Sequence, residues 1–185
     1  MGEFSRIYKT DLSDRQIMSF WHHVEQAGRE RAIAFDSPPL TPLEFCRWMR
    51  QPDVHPWWVL FNGDPVGLSF LTQKAGKAAR IHFLTLPQGV KRTKFRRLSV
   101  VRAFGLYAMG SMLWERNVSG GFILNTLIGL TPICNKEAVK FIHTLGAVDC
   151  GVVPDACYYH DTGENVAGVA TVYTRETVPE WTTEL

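Results

Sequence analysis

The sequence predicts an α/β chain that folds as one domain, with a mixed, mainly antiparallel sheet flanked by helices. Three observations support this prediction. Apolar residues recur at helical spacing in several segments, the spacing changes to that of strands from Trp57 onward, and short turn sequences separate these strands. With 185 residues, of which 45% are apolar and 21% charged, the chain can bury one substantial core. We therefore expect a single domain over residues 1–185.

The first third of the chain predicts one strand and two helices. The strand covers residues 4–8. The first helix follows a cap at Asp11 or Ser13 and carries apolar residues at spacings of three and four, namely Ile17, Phe20, Trp21 and Val24. The break SPPLTP comes next, after which Thr41 is a good N-cap and Pro42 suits the first helical position. A second helix is therefore expected to begin there.

The middle of the chain predicts an antiparallel meander followed by a long helix. The segments WWVLFN, VGLSFLTQ and ARIHFLTL have the composition of strands, and the turns NGDP and KAGK join them. A basic segment then leads into a helix over residues 95–115. Gly105 and Gly110 lie inside this helix, and each costs about 1 kcal/mol relative to alanine. We therefore expect the helix to pack closely against the sheet.

The last third predicts a buried strand over residues 121–128, a short helix after Asn135, and two strands around residues 149–159 and 166–174. In the short helix Asn135 suits the N-cap, and Gly146 suits a left-handed cap at the C-terminal end. The predicted order of elements is therefore βααβββαβαββ.

Charge and cysteine content exclude several classes of protein. The formal net charge of +2 is modest, so attraction to polyanions must come from local clusters of cations. The four cysteines lack CxxC spacing, which argues against a zinc knuckle or a disulfide framework. The N-terminus lacks an apolar signal core, and no apolar run approaches the roughly 20 residues that span a bilayer. We expect a cytoplasmic protein with reduced thiols and no membrane partner.

The segment NKEAVKFIHTLGA, residues 135–147, resembles a motif of the GNAT superfamily of acyl-CoA-dependent N-acyltransferases. In that family the stretch after the fifth strand is roughly Asn-x-x-Ala-x-x-x-Tyr-x-x-x-Gly-Phe. This chain is similar at Asn135, Ala138, Leu145 and Gly146. It departs at Ile142, where the family has the tyrosine that protonates the departing thiolate, and at Ala147, where the family has an aromatic residue. The predicted order of elements also resembles the GNAT arrangement along nearly the whole chain.

A basic turn precedes the long helix, and its cations are Lys91, Arg92, Lys94, Arg96 and Arg97. Cations at a helix N-terminus oppose the helix dipole, so we expect an anion there. In GNAT proteins this turn holds the pyrophosphate of CoA, normally with glycines, whereas this chain has no glycine between Val90 and Phe104. The resemblance implies acetyl-CoA as cosubstrate, bound by Lys91, Arg92, Thr93, Lys94, Phe95 and Arg96. Its phosphates would contact mainly the side chains of Lys91, Arg92, Lys94 and Arg96. The alternatives are a solvated basic loop and a nucleic-acid-binding patch.

The resemblance also implies where the chemistry takes place. The backbone N–H groups near Leu84, Thr85 and Leu86 would bind the thioester carbonyl, and Asn135 would lie near the pantetheine end. For the base we predict His82, because an imidazole titrates near neutral pH and its strand runs along the cleft between the fourth and fifth strands. The amine acceptor is expected near His82 and Asn125. Weaker candidates for the acid are His143 and Tyr158.

The functional hypothesis is transfer of an acetyl group from acetyl-CoA to a primary amine. No metal site is expected, because the histidines lack the spacing of metal ligands. The alternative hypothesis is a GNAT-like module without catalytic activity, similar to GNAT-like phage and prophage proteins, that binds protein or nucleic acid. The glycine-free turn and Ile142 favour this alternative, whereas Asn135 and the basic turn favour the enzyme. The sequence leaves the oligomeric state open, with a homodimer as one option.

Overall fold

The computed structural model describes residues 3–32, 34–86, 94–95 and 98–185, and these residues form nine strands and four α-helices. The strands are β1 (Phe4–Tyr8), β2 (His55–Phe61), β3 (Asp64–Ala75), β4 (Ala78–Thr85), β5 (Lys94–Phe95), β6 (Leu98–Ser99), β7 (Thr126–Pro132), β8 (Val148–Tyr159) and β9 (Glu164–Thr174). The helices are α1 (Asp14–Gln26), α2 (Pro42–Arg50), α3 (Val100–Leu113) and α4 (Lys136–Thr144).

Seven of the strands form one mixed sheet in the order β1-β2-β3-β4-β7-β9-β8. Neighbouring strands are antiparallel except β4 and β7, which are parallel. The parallel ladder joins only residues 78–80 of β4 to residues 126–128 of β7. Beyond this short ladder the two strands separate, because residues 81–85 and 129–132 are not paired with each other. The sheet is therefore continuous at one end and split at the other.

Helices cover both faces of the sheet. Helices α1 and α2 pack on one face, over an apolar cluster that includes Trp21, Phe45, Phe70 and Leu84. Helices α3 and α4 pack on the other face, over a cluster that includes Phe104, Ile81, Leu127 and Tyr173. Side chains of a strand alternate between its faces, so Ile81 and Leu84 of β4 contribute to opposite clusters. The predicted fold class, a mixed and mainly antiparallel sheet flanked by helices, is confirmed.

The predicted caps of three helices are present. Ser13 and Thr41 each form a capping box with the residue three positions later, at the start of α1 and α2. At the start of α4 the side chain of Asn135 accepts a hydrogen bond from the N–H of Ala138, at 3.1 Å. Gly146 follows α4 with φ of 89°, in the left-handed region that favours glycine. Local sequence signals therefore predicted these helix ends correctly.

The long helix starts later than predicted. Residue 95 was the expected start, but Phe95 belongs to the short strand β5 and α3 begins at Val100. Ser99 has an extended backbone and its side chain accepts a hydrogen bond from the N–H of Arg102, so it is the N-cap. The basic segment, residues 91–97, therefore overlaps the short hairpin β5–β6, and β6 separates it along the chain from the first turn of α3.

The strand predicted at residues 121–128 is also displaced, since β7 runs from Thr126 to Pro132. Residues 121–125 lie before the strand, where the ring of Phe122 packs against two guanidinium groups. Arg175 lies 3.8 Å from the ring centroid and Arg116 lies 4.1 Å from it. Arg175 also donates to the carbonyl oxygens of Leu113 and Leu124. These contacts bury the apolar residues of this segment without a strand.

The two glycines of α3 pack closely, although their partners are not strands of the sheet as we expected. A Cβ added to Gly105 would lie 2.7 Å from a methyl group of Leu145 at the end of α4. A Cβ added to Gly110 would overlap the side chain of Thr182 in the C-terminal segment. Glycine therefore lets α3 approach α4 and the C-terminal segment closely. Of the helices in the described part of the chain, none is long and apolar enough to cross a membrane.

Candidate functional site

The split between β4 and β7 opens a cavity of about 420 Å³. It is lined from both faces of the sheet. On the face of α3 and α4, the lining includes Val101, Asn135, Phe141, Ile142 and Tyr173. On the face of α1 and α2, it includes Arg29, Phe35, His82 and Leu84. The cavity therefore lies between the two strands and is lined by residues of both faces of the sheet.

The backbone of β4 presents N–H groups to this cavity at alternate residues. The N–H of Leu86 donates to the carbonyl oxygen of Val66 at 3.0 Å, so it is directed at β3. Bonding direction alternates along an antiparallel strand, which directs the N–H of Leu84 to β3 as well. The N–H groups of Phe83 and Thr85 point the other way, where β7 is no longer paired. Of the predicted residues 84–86, only Thr85 therefore directs its N–H group at the cavity, and Phe83 does so as well.

His82 lies in the cavity lining, but its environment does not suit a base. Its ring stacks on that of Phe70, and its Nε2 lies 2.9 Å from Oγ1 of Thr72. Burial lowers the pKa of His82 to about 3, with a smaller contribution from the charge of Arg80. The imidazole is therefore neutral at pH 7, and its conjugate acid is too strong to hold a proton taken from an amine.

Tyr173 of β9 also lines the cavity, although no motif in the sequence marks this residue. The residue is fully buried, and its hydroxyl oxygen has no hydrogen-bond partner among the described residues. Burial raises the pKa of Tyr173 above the ordinary value of 10.0. The hydroxyl of Thr171 is near enough to lower this pKa in part, although no hydrogen bond with good geometry joins the two groups.

On the α4 side, Asn135 and Ile142 both line the cavity. The side-chain oxygen of Asn135 is engaged in capping α4, which fixes the orientation of this amide. Ile142 is 6% exposed and offers no polar atom. At position 142, where the resemblance implies an acid, the structure therefore has an apolar side chain.

Three predicted site residues lie elsewhere among the described residues. Nε2 of His143 lies 2.8 Å from a carboxylate oxygen of Asp149, away from the cavity lining. Tyr158 is on the edge strand β8, 42% exposed and separated from β7 by β9. Asn125 precedes the paired end of β7, where its side-chain oxygen accepts from Arg175. We therefore remove these three residues from the candidate site.

The basic turn falls largely outside the described residues. Lys91, Arg92, Thr93 and Arg96 lie outside them, and at Lys94 and Phe95 the structure describes the backbone of β5. The cofactor contacts predicted for residues 91–96 therefore stay predictions from the sequence. The structure places Ser99 and Val101 near the start of α3, and Val101 contributes to the cavity lining.

The connection between α1 and α2 closes the other face of the cavity. The carbonyl oxygen of Phe35 accepts from the N–H of His160 at 2.9 Å, and the ring of Phe35 packs against Tyr159 with centroids 5.4 Å apart. An ion pair between Arg31 and Asp161 joins the same two segments. These contacts hold Phe35 in the lining. Among the described residues, no group of three or more His, Cys, Asp or Glu side chains could hold a metal ion.

Solved structures of acetyltransferases share this architecture. Spermidine N-acetyltransferase from Vibrio cholerae, in complex with CoA and spermine, superimposes with a TM-score of 0.70 at 12% identity, covering 95% of this chain and 98% of that chain. A structure described as a probable acetyltransferase gives a TM-score of 0.67 at 13% identity, covering 94% of each chain. No protein-family profile and no curated protein matches the sequence. The chain therefore has the GNAT fold that the sequence predicted, and the comparisons give no support to a phage relationship.

Proposed function

We propose that the protein is an N-acetyltransferase that transfers an acetyl group from acetyl-CoA to a primary amine. The observation that carries this proposal is the separation of β4 from β7, which directs the N–H groups of Phe83 and Thr85 at a cavity lined from both faces of the sheet. Fixed N–H groups of this kind stabilise the oxyanion that forms when an amine attacks a thioester. A similar fold in an acetyltransferase solved with CoA adds support.

The chain would contribute position and electrostatics to this reaction. Thr85 and Phe83 donate to the thioester oxygen, and the apolar wall formed by Ile142, Phe141 and Val101 excludes water around the acetyl group. His82 stays neutral and forms part of the wall, so the amine loses its proton to water. The base predicted at His82 is thus not part of the proposed mechanism.

The phosphates of the donor would bind the basic turn. Lys91, Arg92, Lys94 and Arg96 supply positive charge shortly before Ser99, where α3 begins with N–H groups that lack partners within the helix. Without glycines, the side chains must make most of the contacts. This part of the proposal rests on the sequence.

We place the acceptor amine on the face of α1 and α2. The lining residues there differ from those that a polyamine requires. Polyamines carry several positive charges and bind where carboxylates surround them. Among the described lining residues, Arg29 on this face is positive, and the one carboxylate, that of Glu137, lies on the opposite face with α4. The residues outside the described part of the chain include no Asp or Glu. We therefore propose an acceptor amine that carries a carboxylate of its own, such as the N-terminal amine of a short peptide.

Calorimetric titration with acetyl-CoA and with CoA tests the proposed donor. We expect micromolar binding to the unmodified protein and at least about a tenfold loss when Lys91, Arg92 and Lys94 are all changed to alanine. A matched triple variant, Arg15→Ala with Arg47→Ala and Lys74→Ala, removes the same charge from exposed positions outside the cavity and should bind normally.

The outcomes separate the two functional hypotheses. Binding of acetyl-CoA followed by thiol release in the presence of glycylglycine or another amine supports the enzyme. Absence of binding up to millimolar acetyl-CoA contradicts it and favours a module that binds other partners. In that case, nucleic-acid binding at low salt is the next measurement, because the basic turn would then bind phosphodiesters.

A further inference from the structure

Acetyl transfer leaves a thiolate that must gain a proton, and the described α4 offers no group for this step at Ile142. The side chain of Ile142 is apolar and almost fully buried in the cavity wall. Thiol release without an acid in the site is slow when the leaving group is an alkyl thiolate. The function proposed above, on which this inference rests, therefore requires a proton donor elsewhere in the lining.

The lining contains one tyrosine, Tyr173, among the described residues, and it lies on the same face of the sheet as Ile142. In the β7–β9 ladder Tyr173 is opposite Leu127, close to the point where β7 leaves β4. The residue is fully buried, yet its hydroxyl has no hydrogen-bond partner among the described residues. An unpaired buried hydroxyl destabilises the folded state. A ligand in the cavity that accepts a hydrogen bond would remove this cost.

Gly129 lies close to both Thr171 and the ring of Tyr173. Gly129 is paired with Thr171 in the β7–β9 ladder and lines the cavity beside Tyr173. A Cβ at Gly129 would lie 2.5 Å from Oγ1 of Thr171 and 3.8 Å from Cε2 of Tyr173. The lack of a side chain at Gly129 therefore leaves room for the Thr171 side chain, on the same face of the sheet as Tyr173. The hydroxyl of Thr171 is also buried without a hydrogen-bond partner among the described residues.

We propose that Tyr173 is the acid of the reaction and replaces the tyrosine that α4 lacks. The amine nitrogen forms a bond to the thioester carbon, and the C–S bond then breaks with its electron pair on sulfur. The Tyr173 hydroxyl donates its proton to that sulfur. The proton that the attacking nitrogen loses passes through water to the tyrosinate, so the residue returns to its starting state and no further reactant is needed.

The protonation state of Tyr173 is consistent with this role. Burial raises its pKa, so the hydroxyl keeps its proton throughout the neutral range. The same apolar surroundings destabilise a thiolate, which raises the proton affinity of the leaving sulfur as well. The pKa of the Tyr173 hydroxyl and the pKa of the leaving thiol are thus both raised, so proton transfer from the hydroxyl to the sulfur stays feasible.

The test is the variant Tyr173→Phe, which removes one oxygen and keeps the ring. We expect kcat with acetyl-CoA and glycylglycine, or the fastest acceptor found, to fall about 100-fold, with the affinity for acetyl-CoA unchanged. The stability of the variant should equal or exceed that of the unmodified protein, because no hydrogen bond among the described residues is lost. Tyr158→Phe, at an exposed position, is the matched control and should be fully active.

A leaving-group series provides the readout that a structural role would not change. Acetyl thioesters of more acidic thiols need no proton on sulfur, so the defect of Tyr173→Phe should shrink as the thiol pKa falls. The double variant Tyr173→Phe with Ile142→Tyr should recover part of the lost kcat. Normal kcat in Tyr173→Phe, or an equal loss with every thioester, would overturn the assignment. Absence of turnover by the unmodified protein with any amine would overturn the assignment together with the proposed function, whereas normal turnover by Tyr173→Phe would overturn the assignment alone.

Discussion

The imidazole of His82 lies flat on the ring of Phe70, with ring centroids 4.4 Å apart and planes inclined by 5°. This stacking contributes to the burial that keeps the imidazole neutral and lowers its pKa to about 3. His82 therefore lines the cavity as a neutral ring and does not accept a proton at neutral pH.

This burial makes stability depend on pH. The pKa of His82 in the folded state is lower than its ordinary value of 6.5, so the unfolded chain binds more protons between the two values. The stabilisation is complete above pH 6.5 and is lost as the pH falls towards 3. We expect His82 to reduce the free energy of unfolding by about 2 kcal/mol between pH 7 and pH 5. Urea unfolding at both pH values should show a smaller decrease for His82→Gln than for the unmodified protein.

The same variant tests the catalytic role of His82. If the imidazole is only a wall residue, kcat for His82→Gln should remain within about tenfold of the unmodified value. A loss of 100-fold or more, together with loss of a kinetic pKa from the profile of kcat/KM against pH, would restore His82 as the base.

Gly146 should resist substitution more strongly than another glycine with positive φ. Gly146→Ala forces alanine into φ of 89° and places its Cβ 2.8 Å from the carbonyl oxygen of Thr177, so we expect a loss of about 3 kcal/mol. Gly163 has φ of 69° and nothing within 4 Å of an added Cβ, so Gly163→Ala should cost only about 1 kcal/mol. Equilibrium denaturation measures both values. Equal losses would show that the contact with Thr177 contributes nothing.

Asn135 has two roles that substitutions can separate. Asn135→Ala removes the cap of α4 and should destabilise the protein by about 1 kcal/mol, whereas Asn135→Ser keeps a capping oxygen and should cost only a few tenths. Chemical denaturation tests this order. If both variants lose affinity for acetyl-CoA equally in calorimetry, the amide contacts the ligand in addition to capping the helix.

Arg29 should determine acceptor preference. Arg29→Glu places negative charge at the acceptor side of the cavity, so kcat/KM should fall about fivefold for glycylglycine and rise by a similar factor for spermidine at low ionic strength. Arg15→Glu makes the same change of charge at an exposed position of α1 that is not in the lining. Identical acceptor profiles for the two variants would remove Arg29 from the acceptor site.

Much of the fold could be predicted because its signals are local. Ser13, Thr41 and Asn135 cap their helices through residues three positions away, and such pairs are visible in the sequence. The start of α3 was missed although Ser99 has the same chemistry, because apolar residues before Ser99 extend the helical pattern. The hairpin of β5 and β6, which ends the pattern, depends on pairing that the pattern does not encode.

The site was harder to predict because it depends on register between distant strands. The register of β7 with β9, which sets Gly129 and Tyr173 together in the cavity lining, joins residues of two strands that are separated by α4 and β8. Asn125 was implied by the resemblance and Tyr158 by its position on a late strand, and the ladders place both away from the opening. His82 was placed correctly in the lining, but its low pKa follows from packing against Phe70 and could not be derived from the residue type.

The opening between β4 and β7 also has a kinetic consequence. The cavity is lined from both faces of the sheet. In the function proposed above, donor and acceptor bind at different faces, so both can be present together and neither must leave before the other arrives. Initial-rate plots for donor and acceptor should therefore intersect, which indicates a ternary complex, and should not be parallel as in a substituted-enzyme mechanism. A chain with this architecture needs no nucleophile of its own to store the acyl group between the two binding events.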